Sequence, residues 1–245
     1  MFARRVATPV APSHFQSVAR SHIGHVRTVN EDRLLNCPEH GLWAVADGMG
    51  GHSLGDQAAT IVIRALADLA EGPERIERSA IDRALEMANR SIMAMGSKAR
   101  QTCGSTVAGL HVTGSQCLIF WAGDSRVYRL RNGHLVRLSR DHSFVQELAD
   151  AGVLTELQAR VHPRAHVITR AVGASAELAV DYAECDMVAG DIFLLCSDGL
   201  SGLLDDDAIS STFAADLCAT ANQLLAKALD AGGTDNVSLI LASGV

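Results

Sequence analysis

A succession of short β-type runs, interrupted once by two consecutive helical patterns, constrains the fold of this chain more than any other feature. Runs enriched in β-branched and aromatic residues, or alternating in polarity, occupy 33–37, 42–46, 105–113, 117–122, 126–130, 134–138, 178–185, 191–196 and 236–242. Helical periodicity covers 54–70 (Ala58, Ile61, Val62, Ala65, Leu66, Leu69), 76–95 (Ile76, Ile81, Leu85, Ala88, Ile92) and 214–230 (Leu217, Leu224, Leu225, Ala228). A doubly wound fold would alternate βαβα. Two adjacent helices between blocks of strands instead predict an α+β fold, with mainly antiparallel sheets and helices packed outside them. Asn132-Gly133, between YRLR and HLVRL, predicts a two-residue hairpin turn whose central residues both need positive φ. Met87, Met93 and Met95 lie at helical spacing among aliphatic residues and read as core filling.

With 245 residues, 48% of them hydrophobic, and five prolines, the chain can bury one sizeable core. A single domain over 17–245 follows, with residues 1–16 as a flexible N-terminal tail and 141–170, which lacks sustained periodicity, as a mobile segment beside a site. The net charge of -7 argues against a broad electrostatic footprint for nucleic acid or an anionic membrane. A phosphorylated substrate would need local positive charge. The longest apolar runs, such as 42–46 and 192–196, are far shorter than the roughly 20 residues a membrane-crossing helix needs. Six cysteines without a CxxC pair, most of them in apolar runs, read as reduced, buried thiols and a cytoplasmic setting.

Three aspartates share one context, an apolar run that stops at Asp followed by Gly or Asn, or a turn that leads into such a run. They are Asp47 in LWAVADG, Asp198 in IFLLCSDG and Asp235 in GGTDN before VSLIL; Asp124 in LIFWAGDS ends another run. A carboxylate at the end of a buried strand is held rigidly, while glycine lets carbonyls and water approach, an arrangement that suits hard divalent cations. Any single Asp-Gly is an ordinary turn former. Four in the same setting, with no His/Cys cluster of zinc spacing, favour magnesium or manganese. Asp205, Asp206 and Asp207 have no apolar strand before them and read as a solvated helix cap. Near the N-terminus, Arg27 stands four residues before Glu31 and Asp32, and in extended chain Arg27 and Glu31 share a face. Such a guanidinium can grip a phosphate bidentately.

The strings GHVRTVNED (24–32), ADGMGGH (46–52), GST (104–106), AGDSRVY (122–128), LSRDHS (138–143), ITRAVG (168–173), LLCSDGL (194–200) and GGTDNVS (232–238) occur in this order. Together they resemble the PPM-type metal-dependent protein phosphatases, the protein phosphatase 2C family, in its compact bacterial branch. The resemblance implies a central β-sandwich of two antiparallel sheets flanked by helices, a four-layer αββα fold. It also implies two or three Mn2+ or Mg2+ ions and removal of phosphate from phosphoserine and phosphothreonine by a metal-bridging hydroxide. Residue by residue, it makes Asp47 a bridging ligand assisted by the Gly48 carbonyl, Asp198 and Asp235 ligands of the other ion, Glu31 a ligand through water and Asp124 with Asp198 a third-metal site. Arg27 matches the phosphate-binding arginine, and Asp32 and Asn236 match residues that orient the ligands from behind. The implied partners are phosphoproteins, including a Ser/Thr kinase and its substrates, for an enzyme acting as a monomer.

Two positions depart from the family pattern. Animal-type relatives carry histidine after the Asp-Gly, a candidate acid for the leaving group, whereas this chain has Met49; a metal-bound water or His52 would have to replace it. Many relatives carry aspartate where this chain has His22, which bears on local strand pairing. His142 and Arg170 read as structural supports. Two other classes of function stay open on sequence alone. One is a catalytically silent phosphoprotein-binding signalling domain, which would be expected to lose Asp47, Asp198 or Asp235. The other is a metal-dependent nuclease or phosphodiesterase, against which the acidic net charge and the lack of a basic groove signature count.

Overall fold

The structure is a computed structural model that describes residues 14–50 and 54–244. Strands β1 (Phe15–His22), β2 (Asp32–Cys37) and β3 (Leu42–Met49) lead into helices α1 (Leu54–Glu71) and α2 (Arg78–Ala99). Strands β4 (Gly104–Ser105), β5 (Val107–Thr113), β6 (Gln116–Ala122), β7 (Arg126–Arg131) and β8 (His134–Arg137) follow, then the short helices α3 (Phe144–Asp150) and α4 (Glu156–Arg160). The chain continues through β9 (Asp181–Asp186), β10 (Ile192–Cys196), α5 (Asp198–Ser201), α6 (Asp206–Ser210), α7 (Leu217–Asp230) and β11 (Val237–Gly244). One sheet has the order β1-β11-β10-β7-β8; the other runs β2-β3-β5-β6-β9, with β4 paired to β3. The strand pairings are antiparallel.

Strand periodicity explains the layers. In β3, Trp43 and Val45 point between the sheets, where they meet Ile119, Phe193, Leu195 and Ile240, while Leu42, Ala44 and Ala46 point at α1 and α2. Both faces are covered, so the sequence reads as a continuous apolar run rather than an alternation. Strands β10 and β11 repeat the device, with Leu194, Cys196, Leu239 and Leu241 packed on Leu224 and Ala228 of α7. The result is the four-layer αββα sandwich, and each fully buried aliphatic side chain contributes about 1.5–3 kcal/mol. No helix among the described residues is long and apolar enough to cross a membrane.

Several sequence expectations need correction. Strand β1 begins at Phe15, inside the stretch assigned to a tail; its FQSVARSH pattern is too polar to announce a strand, and pairing with β11 from Phe15↔Gly244 to His22↔Val237 decides it. The His22 departure therefore does not disturb that pairing. The run 105–113 divides into β4 and β5 at Thr106, and the strand sought at 178–185 begins only at Asp181. Met87 is 61% exposed and fills no core, whereas Met95 packs against the α1–α2 side. Segment 141–170 contains α3 and α4, capped by Ser143 and Thr155, and its ends are pinned by a bridge between Ser143 and Ile168. The hairpin turn is as read: Asn132 and Gly133 have φ of 52° and 78°.

Candidate active site

Antiparallel pairing brings the acidic residues to one edge of the sandwich. The end of β3 lies beside the start of β2, so Asp47 is the register partner of Asp32. The end of β10 lies beside the start of β11, which places Asp198 next to the Asp235-Asn236 turn. Asp124 follows β6 and is buried. The close approach of α1 to this edge depends on two glycines. A Cβ on Gly48 would overlap the Gly55 carbonyl, and one on Gly55 would collide with the Glu31 carboxylate.

Short, specific contacts fix the backbone and some of the carboxyls at this edge. Ser197 donates its hydroxyl to Asp32 Oδ2 at 2.8 Å. The Asp47 amide donates to Thr106 Oγ1 at 3.0 Å, and Thr106 shares a hydrogen bond with Ser125 at 2.7 Å. Asn236 stitches the N-terminal loop in place: its Oδ1 accepts from the Glu31 amide at 2.8 Å, and its Nδ2 donates to the carbonyls of Ile23 and Val29. Arg27, with its side chain 53% exposed, donates to Asp235 Oδ2 at 2.7 Å.

Burial pushes the carboxyls of Asp47 and Asp124 well above the ordinary range, and the neighbouring Asp198 charge pushes further in the same direction. Asp198 is raised by burial and then by Asp235. Burial raises Asp32 to about 7 despite hydrogen bonds from serines. Glu31 is raised by burial, against the opposing pull of Arg27. Oδ1 of Asp32, of Asp124 and of Asp198 is buried without a hydrogen-bond partner. Unpartnered buried carboxylate oxygens cost too much to be incidental. An all-oxygen set of this kind fits Mn2+ or Mg2+.

Among the described residues no three His, Cys, Asp or Glu side chains close on a single point. This spread still suits hard cations of the magnesium class, which keep several waters and are bound through one or two carboxylates rather than a full protein cage.

The surroundings contain supporting groups, some of them expected and some not. His142 Nδ1 accepts from the Gly123 amide at 3.1 Å, so Nε2 carries the proton and donates to Asp181. It thereby holds the turn before Asp124, the support expected of it, and Arg170 joins it on Asp181 at 2.8 Å. Arg126 forks onto Asp141 through Nε and Nη2, and its Nη1 donates to the Tyr128 hydroxyl, which donates to Asp206. Asp205 caps α6 as read, but Asp206 is engaged in this network rather than simply solvated. A cavity of about 710 Å3 opens beside Asp124 and Asp198, walled by residues of 141–170 and of α6. Ser197, Thr106 and Ser125 lie inside or beside the recognised strings, yet only their three-dimensional partners reveal their work. His52 lies outside the described residues.

This edge defines a class, a two-sheet sandwich that gathers carboxylates of a kind suited to divalent cations beside an arginine. The chain belongs to the protein phosphatase 2C family, whose model matches residues 19–231. It is 37% identical over 232 residues to the serine/threonine protein phosphatase PstP of Mycobacterium tuberculosis, covering 93% of this chain and 44% of PstP. It thus spans less than half the length of that relative. The serine/threonine phosphatase stp of Listeria monocytogenes is 31% identical, over 91% of this chain and 93% of its own length. The crystal structure of the PstP catalytic domain in complex with two manganese ions superposes with a TM-score of 0.86 at 35% identity, covering 95% of this chain and 99% of that one.

Proposed function

We infer that this chain is a metal-dependent protein serine/threonine phosphatase, hydrolysing phosphoserine and phosphothreonine on other proteins. The observation that carries this reading is the set of buried, unpartnered carboxylate oxygens of Asp32, Asp124 and Asp198 at the sheet edge that also holds Asp47, Asp235 and Arg27. Asp47 with the Gly48 carbonyl, Asp198 and Asp235 would hold two Mn2+ or Mg2+ ions, with Glu31 acting through a water; Asp124 and Asp198 would hold a third. When bound, such ions supply a water acidic enough to attack near neutral pH and positive charge for the phosphoryl oxygens.

The chain's own residues do the rest. Arg27, with its side chain half exposed beside Asp235, takes the substrate phosphate in a bidentate grip. Asp32, fixed by Ser197, and Asn236, fixed by backbone carbonyls, orient the ligand loops and hold Asp47 and Asp235 in place. Met49 cannot give a proton to the departing alkoxide, so a water of the cleft or His52 supplies it. The substrates in this reading are phosphoproteins, among them a Ser/Thr kinase and that kinase's own targets, met in the cytoplasm by a monomeric enzyme.

The test is hydrolysis of a small aryl phosphate by the purified chain with and without Mn2+. Activity should require the cation and vanish in excess chelator; full turnover in chelator would refute the reading. A silent phosphoprotein-binding domain would bind Mn2+ weakly or not at all and show no turnover in either arm. A phosphoproteome comparison of cells with and without the chain would identify the substrates.

A further inference from the structure

At the end of the sandwich away from the acidic edge, Cys117 of β6 and Cys185 of β9 are direct register partners. Opposed residues of an antiparallel pair have Cα atoms about 4.5–5.5 Å apart, inside the roughly 4.4–6.8 Å range that a disulfide spans. Both side chains lie in the layer between the sheets, where Cys117 is part of the core and Cys185 packs against it. Arg129 of β7, on the facing sheet, puts its positive charge near Cys185, and its buried Nε has no hydrogen-bond partner. Cys117 is 1% exposed, whereas Cys185 is partly open to solvent.

We propose that Cys117 and Cys185 form a peroxide-oxidisable dithiol that closes to a cross-strand disulfide joining β6 to β9. The Cys185 thiolate attacks one oxygen of hydrogen peroxide; the S–O bond forms, the O–O bond breaks and hydroxide leaves. The Cys117 sulfur then attacks the resulting sulfenic sulfur. The S–S bond forms, the S–O bond breaks, and the two departing hydroxides take up the Cys117 thiol proton and the proton that Cys185 lost on ionising, leaving as two waters. In sum two thiols and one peroxide give one disulfide and two waters.

Three of the other thiols, Cys37, Cys103 and Cys196, are poorly suited to the attacking role. Burial pushes Cys37 and Cys103 up, and Cys196 up to about 12, whereas the neighbouring Cys117 thiol and then Arg129 hold Cys185 down to about 7. Cys218 is exposed and is the natural competitor. The bond would fasten β9, whose first residue Asp181 receives His142 and Arg170, without touching the acidic edge. The inference does not depend on the phosphatase reading.

The experiment uses the full chain, reduced, desalted and titrated with hydrogen peroxide, followed by alkylation and non-reducing peptide mapping. The expected product is an intramolecular pair of peptides joined at Cys117 and Cys185, two hydrogens lighter than the reduced pair. In Cys117→Ser the sulfenic acid should persist and dimedone should label Cys185. Arg129→Gln should slow cross-linking about threefold, since loss of thiolate outweighs the gain in nucleophilicity at higher pKa. Oxidation of Cys218 to an intermolecular disulfide while Cys117 and Cys185 remain alkylatable would overturn the proposal, as would dimedone labelling of any other cysteine in Cys117→Ser.

Discussion

Strand β10 carries an aspartate just outside each end, and the two are treated in opposite ways. Asp191, before the strand, is buried and saturated: Arg131 forks onto it at 2.7 and 2.6 Å, and the Val188 amide donates to it at 2.8 Å. Asp198, after the strand, sits among like charges and leaves Oδ1 buried with no partner. The same side chain at the two ends of one strand thus serves as a structural ion pair and as an open coordination position. A buried carboxylate that is fully paired marks architecture, and one left unsatisfied beside others marks chemistry.

The contrast is broken or sharpened most strongly by Asp198→Asn. It should lower kcat/KM on an aryl phosphate about a thousandfold, or roughly 4 kcal/mol, because a cation ligand is lost. The fold should survive, since a repelling charge is removed. Retained activity would move Asp198 into the structural group.

Next in size is the pH dependence of the chelated protein. Burial raises Asp32 from 3.8 to about 7, and Asp47, Asp124 and Asp198 shift the same way. A raised carboxyl binds more protons folded than unfolded, so its stabilisation is complete below the ordinary value and is lost as pH rises through the folded one. Thermal scans in chelator should show Tm falling from about pH 5 to about pH 8, and Mn2+ should flatten that slope. A Tm that rises over that range without metal would contradict the electrostatic picture.

Asp191→Asn should do the reverse of Asp198→Asn. Denaturant unfolding should show a loss of about 2 kcal/mol, since Arg131 keeps part of its solvation, with little change in turnover. Smallest is Arg27→Ala. A roughly tenfold rise in KM with a lesser change in kcat is expected for loss of a charge-assisted phosphate contact, and an unchanged KM would assign Arg27 to holding Asp235 alone.

Much of this was legible from residue order. Leu42–Ala46 and Ile192–Cys196 announced buried strands, and their abrupt Asp-Gly endings announced the acidic positions, because a continuous apolar run followed by a flexible turn has few other uses. Strand β1 was not legible, since FQSVARSH lacks a pattern and owes its conformation to β11. Nor was the exposure of Met87, because helical spacing defines a face but not whether a neighbour covers it. The serine and threonine contacts behind Asp32 and Asp47 were invisible for the same reason.

By itself, then, the sequence determined which segments become strands and helices, that carboxylates stand at strand ends, and which family the strings belong to, because periodicity and turn chemistry are local. Only the tertiary structure decided which aspartates are paired and which are left open, and that Cys117 faces Cys185 with the Arg129 charge near Cys185. Those outcomes depend on register and on the packing of one sheet against another, between residues scores of positions apart, and no local pattern encodes such a distance.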